Sequence, residues 1–336
     1  MYPVQCQNVL IDSCIAKGAS DSGIYVGQSR GVVVRGCRVE RNVAGIEIEN
    51  TVDAAVYDNM ATNNAAGILV FDLPGLQLKA GGNVRVFRNQ VIANNHKNFA
   101  AAGNIVATVP SGTGVMIMAT DHVEVFDNDI RDHQTVSVSL VSYFVSNKPI
   151  KDKDYDPISE DVSIHGNRIS GGGMNPSGEI SKLLVPALGS PLPDIVYDGM
   201  VAPEKLVDGR LPEALRIAIF DNGDATFANF HLQELTPENL QNGRYQATRD
   251  LAPYAKPRSP LAEVELKEHD PPAPTADAAV MVYRSAPTRL SEYGLFEGDG
   301  STQEHMENVI PYSLNTTLFS DYTAKYRFIR LPEGES

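Results

Sequence analysis

The sequence is poor in cysteine, with three residues among 336, and it contains no tryptophan. So few cysteines exclude a small domain that several disulfides hold together. Long apolar runs are missing too, since none approaches the roughly 18 residues that cross a bilayer. The first residues lack the basic and apolar regions of a secretory signal peptide. We therefore predict neither a membrane span nor a signal peptide in this chain.

Positive charge is the second shortage. Lys and Arg number 28 against 42 Asp and Glu, so the formal net charge is −14. Nucleic acids are held mainly by basic surfaces, and we therefore expect no nucleic-acid partner. The hydrophobic fraction of 42% is that of an ordinary globular chain, which excludes wholesale disorder.

What the sequence does contain is a repeat. Six seven-residue blocks each place an aliphatic residue three positions before a final Cys or Asn, and that final position recurs after 23, 22, 30, 39 and 39 residues. Alternating aliphatic residues with Gly and Asn at the turns predict short strands rather than helices. A shortest period of 22 residues predicts the coils of a parallel β-helix. The blocks begin at Asn8, Gly31, Asp53, Asn83, His122 and Asp161.

The last position of each block predicts a corner of the coil. Asn tolerates the left-handed backbone of a tight corner, and stacked Asn amides can hydrogen-bond to one another as a ladder. Cys14 and Cys37 occupy this position in the first two coils, where we expect free thiols that pack as small apolar residues. The later corners are predicted at Asn59, Asn89, Asn128 and Asn167.

Three coils are longer than the period. The added segments fall at residues 74–82, 96–111 and 146–161. Insertions in a solenoid tend to emerge on one face, which is often the binding face. The functional residues are therefore expected in or beside these insertions.

Residues 4–250 resemble the right-handed parallel β-helix repeat proteins of the pectin-lyase-like superfamily. The strings Asp194-Ile-Val-Tyr-Asp-Gly-Met200 and Ile219-Phe-Asp-Asn-Gly-Asp224 are similar to the closing region of one bacterial branch of that group. The resemblance implies an all-β fold, a right-handed single-stranded parallel β-helix with an irregular C-terminal extension. It also implies a carbohydrate or polysaccharide ligand and a periplasmic or extracellular location.

Residues 287–331 resemble the opening of a bacterial extracytoplasmic di-haem c-type cytochrome family. The strings that carry this likeness are Pro287-Thr-Arg-Leu-Ser-Glu-Tyr-Gly-Leu-Phe296 and Val309-Ile-Pro-Tyr-Ser-Leu-Asn-Thr-Thr-Leu-Phe-Ser-Asp-Tyr322. Covalent haem attachment needs Cys-x-x-Cys-His, which the chain lacks, so no haem is expected. We interpret the segment as truncated, and a c-type cytochrome module is a possible partner.

These patterns predict four parts. Residues 1–176 form the β-helix repeats and residues 177–265 close the helix. Residues 266–286 form a Pro-rich linker, because Pro-rich stretches stay extended. Residues 287–336 form the cytochrome-like segment without a haem motif. A monomer is expected.

Four polar residues near the insertions are candidate catalytic residues, namely His96, Lys97, Asp121 and His133. The β-helix lyases and epimerases abstract a proton beside a uronate carboxylate, which requires a base, an acid and a cation. The alternative is that these are polar turn residues outside the aliphatic rows, because fold does not imply function.

A metal site is a second hypothesis. Asp152, Asp154 and Asp156 stand at alternate positions in the third insertion, and Ca²⁺ prefers several carboxylate oxygens. An EF-hand-type loop would need Gly and Glu where this chain has Pro157 and Ser163. Solvated loop charges are the alternative, and no other cofactor is indicated.

Aromatic residues suggest a third kind of site. Phe99, Tyr143 and Tyr155 lie in or near the long coils and could stack on sugar rings. The sequence therefore favours a protein that binds or processes a polysaccharide, and it leaves enzymatic activity, lyase-like or epimerase-like, undecided. The alternative is a non-enzymatic scaffold or interaction module associated with a c-type cytochrome.

Overall fold

The computed structural model describes residues 1–266 and, beyond them, only two short strands. Most described residues belong to coils that each contribute one strand to each of three parallel sheets. Sheet 1 consists of β1 (Gln7–Asp12), β4 (Arg30–Arg35), β7 (Val52–Tyr57), β10 (Gly82–Phe87), β13 (Val123–Phe126), β16 (Val162–His165) and β19 (Ala218–Phe220). Sheet 2 consists of β2 (Ile15–Lys17), β5 (Arg38–Glu40), β8 (Met60–Thr62), β11 (Gln90–Ile92), β14 (Asp129–Arg131) and β17 (Arg168–Ser170). Sheet 3 consists of β3 (Ser22–Gly27), β6 (Ala44–Glu49), β9 (Ala66–Phe71), β12 (Thr113–Met118), β15 (Val136–Val141), β18 (Ile195–Tyr197) and β20 (Phe227–Asn229).

The coils stack in register, so equivalent aliphatic residues form rows inside the rod. On sheet 1, Val86 pairs with Val56 of the preceding coil and with Val125 of the next. Removing such a side chain from water stabilises the fold by about 1.5–3 kcal/mol. The predicted right-handed parallel β-helix is confirmed, and this row is its core: Ile11, Val34, Val56, Val86, Val125, Ile164 and Ile219 are all buried.

The predicted asparagine ladder lies at the corner between sheets 1 and 2. The Asn59 side-chain amide donates to Asn89 Oδ1 at 3.0 Å, and Asn89 donates to Asn128 at 2.9 Å. The ladder continues through Asn167 to Asn222 at the same distance of 2.9 Å. Each buried amide thus finds a partner in the neighbouring coil, which avoids the cost of unpaired polar groups. The three cysteines are free.

A second ladder lies at the corner between sheets 2 and 3. Asn42 donates to Asn64 at 2.9 Å, Asn64 donates to Asn94 at 2.8 Å, and Asn94 Nδ2 lies 3.2 Å from His133 Nε2. The coils approach closely here, because a Cβ on Gly45 would stand 2.6 Å from the carbonyl oxygen of Gly67. Glycine is therefore required after this corner.

The rod extends beyond residue 176. Strands β18, β19 and β20 continue sheets 3 and 1, so two of the three sheets run through the region predicted only to close the helix. The sequence pattern weakens there because long connections that include helix α1 (Ser181–Leu188) separate the strands. The other described helices are α2 (Pro237–Gln241) and five 3₁₀ turns at Val106–Thr108, Tyr143–Ser146, Pro203–Lys205, Glu213–Leu215 and Ala252–Tyr254.

All three insertions lie beside sheet 3. Two of them join sheet 3 to sheet 1 and one joins sheet 2 to sheet 3. Apolar residues of the second and third insertions, together with those of α1, pack on the outer face of sheet 3 and form a second hydrophobic cluster. The cluster includes Leu69, Phe71, Met116 and Met118 of the sheet, Val106, Val109 and Tyr155 of the insertions, and Leu184 and Leu188 of α1.

The chain divides into two units, Met1–Leu266 and Lys267–Ser336. In the second unit, β21 (Ser313–Asn315) pairs antiparallel with β22 (Thr323–Lys325). The predictions for the Pro-rich linker and for the cytochrome-like segment otherwise lie outside the described residues. Within the described part of the chain, no helix is long and apolar enough to cross a membrane.

Candidate functional site

The outer face of sheet 1 carries a polar patch. Alternate residues of a strand point to opposite faces, so the valines of β10, β13 and β16 enter the core while the residues between them point outward. Glu124 pairs in register with Arg85 of the preceding coil and with Ser163 of the next. We define the sheet-1 patch as Arg85, His122, Glu124, Asp161 and His165.

One half of the patch is a histidine held by a carboxylate. His122 Nδ1 lies 2.5 Å from Asp161 Oδ2, and the Arg258 guanidinium forms an ion pair with the other oxygen of Asp161. The His122 side chain is 51% exposed, whereas that of Asp161 is 9% exposed. A buried carboxylate therefore orients an accessible imidazole, and Arg258 balances the charge of that carboxylate.

The other half repeats this chemistry one step along the strands. Glu124 accepts a hydrogen bond from Arg85 Nε at 3.1 Å, and its second oxygen lies 3.2 Å from His165 Nε2. Burial acts to raise the pKa of Glu124, but the hydrogen bonds of His165 and Arg85 outweigh burial and hold that pKa below its usual range. Glu124 is therefore ionised at neutral pH. The patch thus contains two Arg–carboxylate–His arrays on neighbouring strands.

An aromatic column borders the patch. Phe87 and Phe126 stack with ring centroids 4.8 Å apart, and His165 is sandwiched between Phe126 and Phe220 at 5.4 Å and 4.7 Å. Tyr57 continues the stack beside Phe87 at 4.9 Å. Because the rings cover one another's faces, the column presents ring edges outward, which suits packing between coils better than stacking on a sugar.

Next to the patch, the corner between sheets 3 and 1 gathers three carboxylates and a lysine, which we call the corner cluster: Asp121, Asp156, Glu160 and Lys205. One oxygen of each carboxylate lies within 4.8 Å of the others. Lys205 Nζ stands 2.5 Å from Asp156 Oδ2 and 2.6 Å from Glu160 Oε2, and Asp121 Oδ1 accepts the Glu160 backbone N–H at 2.7 Å. The third insertion supplies Asp156 and Glu160, and the Pro203–Lys205 turn supplies the lysine.

The corner cluster is electrostatically unusual. Burial raises the pKa of Asp121 and of Glu160, and Glu160 is 1% exposed with Oε1 lacking a described hydrogen-bond partner. Its three carboxylates could hold a divalent cation only if Lys205 moved away, since the ammonium already bonds to two of them. A carboxyl group with a raised pKa can instead serve as a proton donor near neutral pH.

The four predicted catalytic residues do not come together. Asp121 lies at the corner between sheets 3 and 1, whereas His96, Lys97 and His133 lie at the corner between sheets 2 and 3. The six-residue strand β12 separates these corners by roughly 20 Å. The shared groove that a base and an acid would need is therefore not formed by this set.

His133 has a structural position. It occupies the place of an asparagine in the second ladder, with no exposed surface, and burial lowers its pKa to about 3. A neutral imidazole without solvent access cannot exchange protons with a bound substrate. His96, in contrast, is exposed and packs edge-on against Phe99 at 5.5 Å.

The predicted calcium ligands also separate. Asp152 bonds to Lys79 Nζ at 2.5 Å and accepts the Gly75 backbone N–H, while Asp154 is exposed. Only Asp156 joins other carboxylates, in the corner cluster. The loop cannot direct all three inward because Tyr155, between two of them, turns into the hydrophobic cluster.

The predicted sugar-stacking residues differ in exposure. Tyr143 and Tyr155 are 5% and 7% exposed and pack on each other edge to face, so neither offers a ring to a ligand. The Tyr155 hydroxyl donates to the backbone carbonyl of Asp72 at 2.7 Å. Phe99 is 40% exposed and remains available.

Sequence reasoning missed most of the patch, although a signal was present. In the aligned blocks, positions one, three and five point outward. Three consecutive blocks read Asn-Arg-Phe, His-Glu-Phe and Asp-Ser-His at these positions, whereas the first two read Asn-Leu-Asp and Gly-Val-Arg. Comparing the outward columns as well as the inward ones would have located every member of the patch, although not Arg258, which binds to it.

Comparisons with known proteins concern the fold. Residues 2–108 match a family model described as a right handed beta helix region. No curated protein matches the chain. Among solved structures, the chain is similar to an alginate lyase from Paenibacillus sp. str. FPU-7, with 13% identity over 63% of this chain and 73% of that one, at a TM-score of 0.28. The matched family region and the three stacked sheets together describe a right-handed β-helix.

Proposed function

We propose that this protein binds a polysaccharide across the sheet-1 patch and processes it by proton transfer, in the periplasm or outside the cell. The observation that carries the proposal is the accessible His122 imidazole, which a buried Asp161 carboxylate orients and Arg258 balances. A base with a fixed orientation and solvent access is what proton abstraction requires.

The corner cluster supports the second proton step. Asp121 precedes His122 in the sequence, and burial raises the pKa of its carboxyl group. His122 is the proton acceptor in this proposal and Asp121 is the proton donor. Lys205, whose side chain is 26% exposed, is the cation nearest to Asp156 and Glu160 and would face a uronate carboxylate.

The reaction that fits these roles is elimination or epimerisation at a uronate residue. In elimination, His122 Nε2 takes the C5 proton and the C–H electron pair forms the C4–C5 double bond. The bond from C4 to the glycosidic oxygen breaks, and Asp121 gives its proton to that oxygen. In epimerisation, a proton returns to C5 from the opposite side and the chain is not cleaved.

A polysaccharide screen with the full chain tests the proposal. Each uronate-containing or neutral polysaccharide is assayed for new reducing ends and for absorbance of the unsaturated product. Elimination gives both signals, hydrolysis gives only the first, and epimerisation is followed by solvent deuterium incorporation at C5. The His122→Gln variant is expected to lose about 100-fold or more of the rate.

A matched control uses His231→Gln, the same substitution in the closing region, where His231 contacts Thr248. This variant is expected to keep the wild-type rate. A His122→Gln variant that is as active as the wild type would contradict the assignment of the base. Failure to bind or change any polysaccharide would contradict the proposed function itself.

A non-enzymatic glycan-binding role is the second candidate, and one observation favours it. Phe99 on the second insertion and Phe144 just before the third are 40% and 44% exposed, and Lys148 links the two insertions through its 3.0 Å hydrogen bond to the Gly103 carbonyl. Aromatic rings on adjoining loops suit sugar stacking. If this role is the correct one, Phe99→Ala and Phe144→Ala abolish glycan binding whereas His122→Gln does not.

A further inference from the structure

Residues 256–258, which we call the strap, contact the segments that lead into β19 and β16, beside the sheet-1 patch. Arg216 holds the strap by donating to the carbonyl oxygens of Lys256 and Pro257 at 2.6 Å and 2.7 Å. Lys256 Nζ forms an ion pair with Glu213 at 2.7 Å. Lys256 and Pro257 are exposed, so polar contacts rather than apolar burial hold this part of the strap.

Arg258 itself is fixed at three points. Its guanidinium donates to the backbone carbonyl oxygens of Arg216 at 2.8 Å and of Ala214 at 3.3 Å, and it pairs with the Asp161 carboxylate. The side chain is 14% exposed. A planar guanidinium with this many partners has one orientation, which a lysine could not reproduce.

We infer that Arg258 is a positioning residue for the His122–Asp161 pair: it binds the Asp161 carboxylate that orients His122, and docking of the strap holds its guanidinium in place. The catalytic meaning of this inference rests on the proposed function, whereas the contacts of Arg258 are independent of that function. Without the guanidinium, only His122 is left to balance the negative charge of the buried Asp161 carboxylate. The imidazolium form of His122 then becomes more favourable, because an opposite charge nearby stabilises the charged form.

The test reads the histidine directly and needs no substrate. Diethylpyrocarbonate modifies neutral imidazoles, and mass spectrometry reports modification at His122 and at exposed His96 in the same sample. The rate of modification of each histidine is measured between pH 5 and pH 8, where histidine changes charge. In Arg258→Ala, the His122 profile is expected to move to higher pH by about half a unit or more, while the His96 profile stays in place.

Two further variants keep the inference testable if Arg258→Ala folds poorly. Arg216→Ala loosens the strap without removing the partner of Asp161, and its shift should be smaller and in the same direction. Arg258→Lys keeps the charge and should restore part of the wild-type profile. Arg168→Ala is the matched control, because its ion pair with Asp129 lies on sheet 2, away from the sheet-1 patch.

The outcomes separate the two proposals. An unchanged His122 profile in folded Arg258→Ala would overturn the positioning role, whatever the polysaccharide screen finds. A shifted profile in a protein without polysaccharide activity would support the positioning role and contradict the proposed function. Where activity is present, Arg258→Ala should lower kcat by about 10- to 100-fold with little change in KM.

Discussion

The outer faces of sheets 1 and 3 belong to the same coils, but the face of sheet 3 is covered by other segments and the face of sheet 1 is not. On sheet 3, Leu69 and Phe71 have no exposed surface, because the insertions and α1 pack over them. On sheet 1, Phe87 and Phe126 are half-buried beside Arg85, whose side chain is 13% exposed, and the His122 side chain on the same face is 51% exposed. A solenoid must cover apolar outward residues, so the insertions mark the face that needs covering, while the face they leave open carries the polar patch.

The insertions of this solenoid have two roles. We expected function in or beside the insertions because insertions often line the binding face. Apolar residues of the second and third insertions extend the core over sheet 3, whereas Asp156, Glu160 and Asp161, near the end of the third insertion, belong to the candidate site. The open face is recognisable by residues that a stable sheet does not need, namely paired charges and histidines in outward columns.

The largest expected effect concerns the core that both faces share. Val86→Asp places a charge without a partner in the innermost row, where Val86 has no exposed surface. We expect no soluble folded protein, as judged by expression and circular dichroism. The matched change Gln90→Asp, at an exposed position of the same coil, should fold. A well-folded Val86→Asp variant would contradict the register of the rod.

The second prediction compares the two faces directly. Phe71→Ala should lower the free energy of unfolding by about 3–5 kcal/mol, because it opens a cavity under the insertions. Phe87→Ala removes two ring contacts from the aromatic column and should lower the free energy of unfolding by about 1–3 kcal/mol. Urea denaturation of both variants measures the difference. Equal costs would mean that the two faces are equally buried.

The third prediction uses pH to probe the covered face. Burial, with the nearby Glu49 charge, raises the pKa of Glu47 to about 8, and burial raises that of Asp72 to about 7. A raised folded-state pKa contributes stability that is complete below the unfolded value and is lost as the pH rises through the folded value. Relative to that of Glu47→Gln, the free energy of unfolding of the wild type should therefore fall by up to about 1.4 kcal/mol per pH unit. The fall is expected between the unfolded pKa of Glu, about 4.3, and pH 8.

Denaturation of wild type and Glu47→Gln at several pH values measures this slope. Glu49→Gln provides a comparison, because the Tyr25 hydroxyl donates to Glu49 at 2.6 Å and opposes the upward shift of its pKa. Its pH dependence should be weaker than that of Glu47→Gln. Parallel stability curves for wild type and Glu47→Gln would show that Glu47 ionises normally in the folded protein.

The smallest effect is expected at the turns that follow strands β7 and β10 of sheet 1. Arg88 and Asp58 form a two-point ion pair, but their side chains are 52% and 49% exposed. A double-mutant cycle with Arg88→Gln and Asp58→Asn should give a coupling free energy below about 1 kcal/mol. A coupling free energy of several kcal/mol would show that these turns are less hydrated than the exposure of the two side chains indicates.

Most of the rod could be predicted from residue order, whereas only a part of the candidate site could. The aliphatic rows and the ladder through Asn59 and Asn89 follow from a local pattern that repeats with the coil. Of the candidate site residues, Asp121 and Asp156 were singled out, for different roles. Nothing local indicated that they meet, because Asp156 reaches the corner through an insertion whose path depends on packing.

Residue order alone was therefore enough for the fold class, the direction of each inward side chain and the chemistry at the corners. These properties depend on alternation and on the asparagine side chains, which repeat with the coil. The left-handed backbone that was predicted at the corner asparagines instead lies one residue earlier, at Asp58, Arg88, Asp127 and Gly166. Tertiary structure decided which outward residues became a site. The coil repeat places His122 beside Asp161 in one outward column, but Arg258 meets Asp161 only because the strap packs at the start of β16. The Arg258 contact joins residues that are distant in the chain, and Arg258 lies outside the repeat, so no local pattern could specify it.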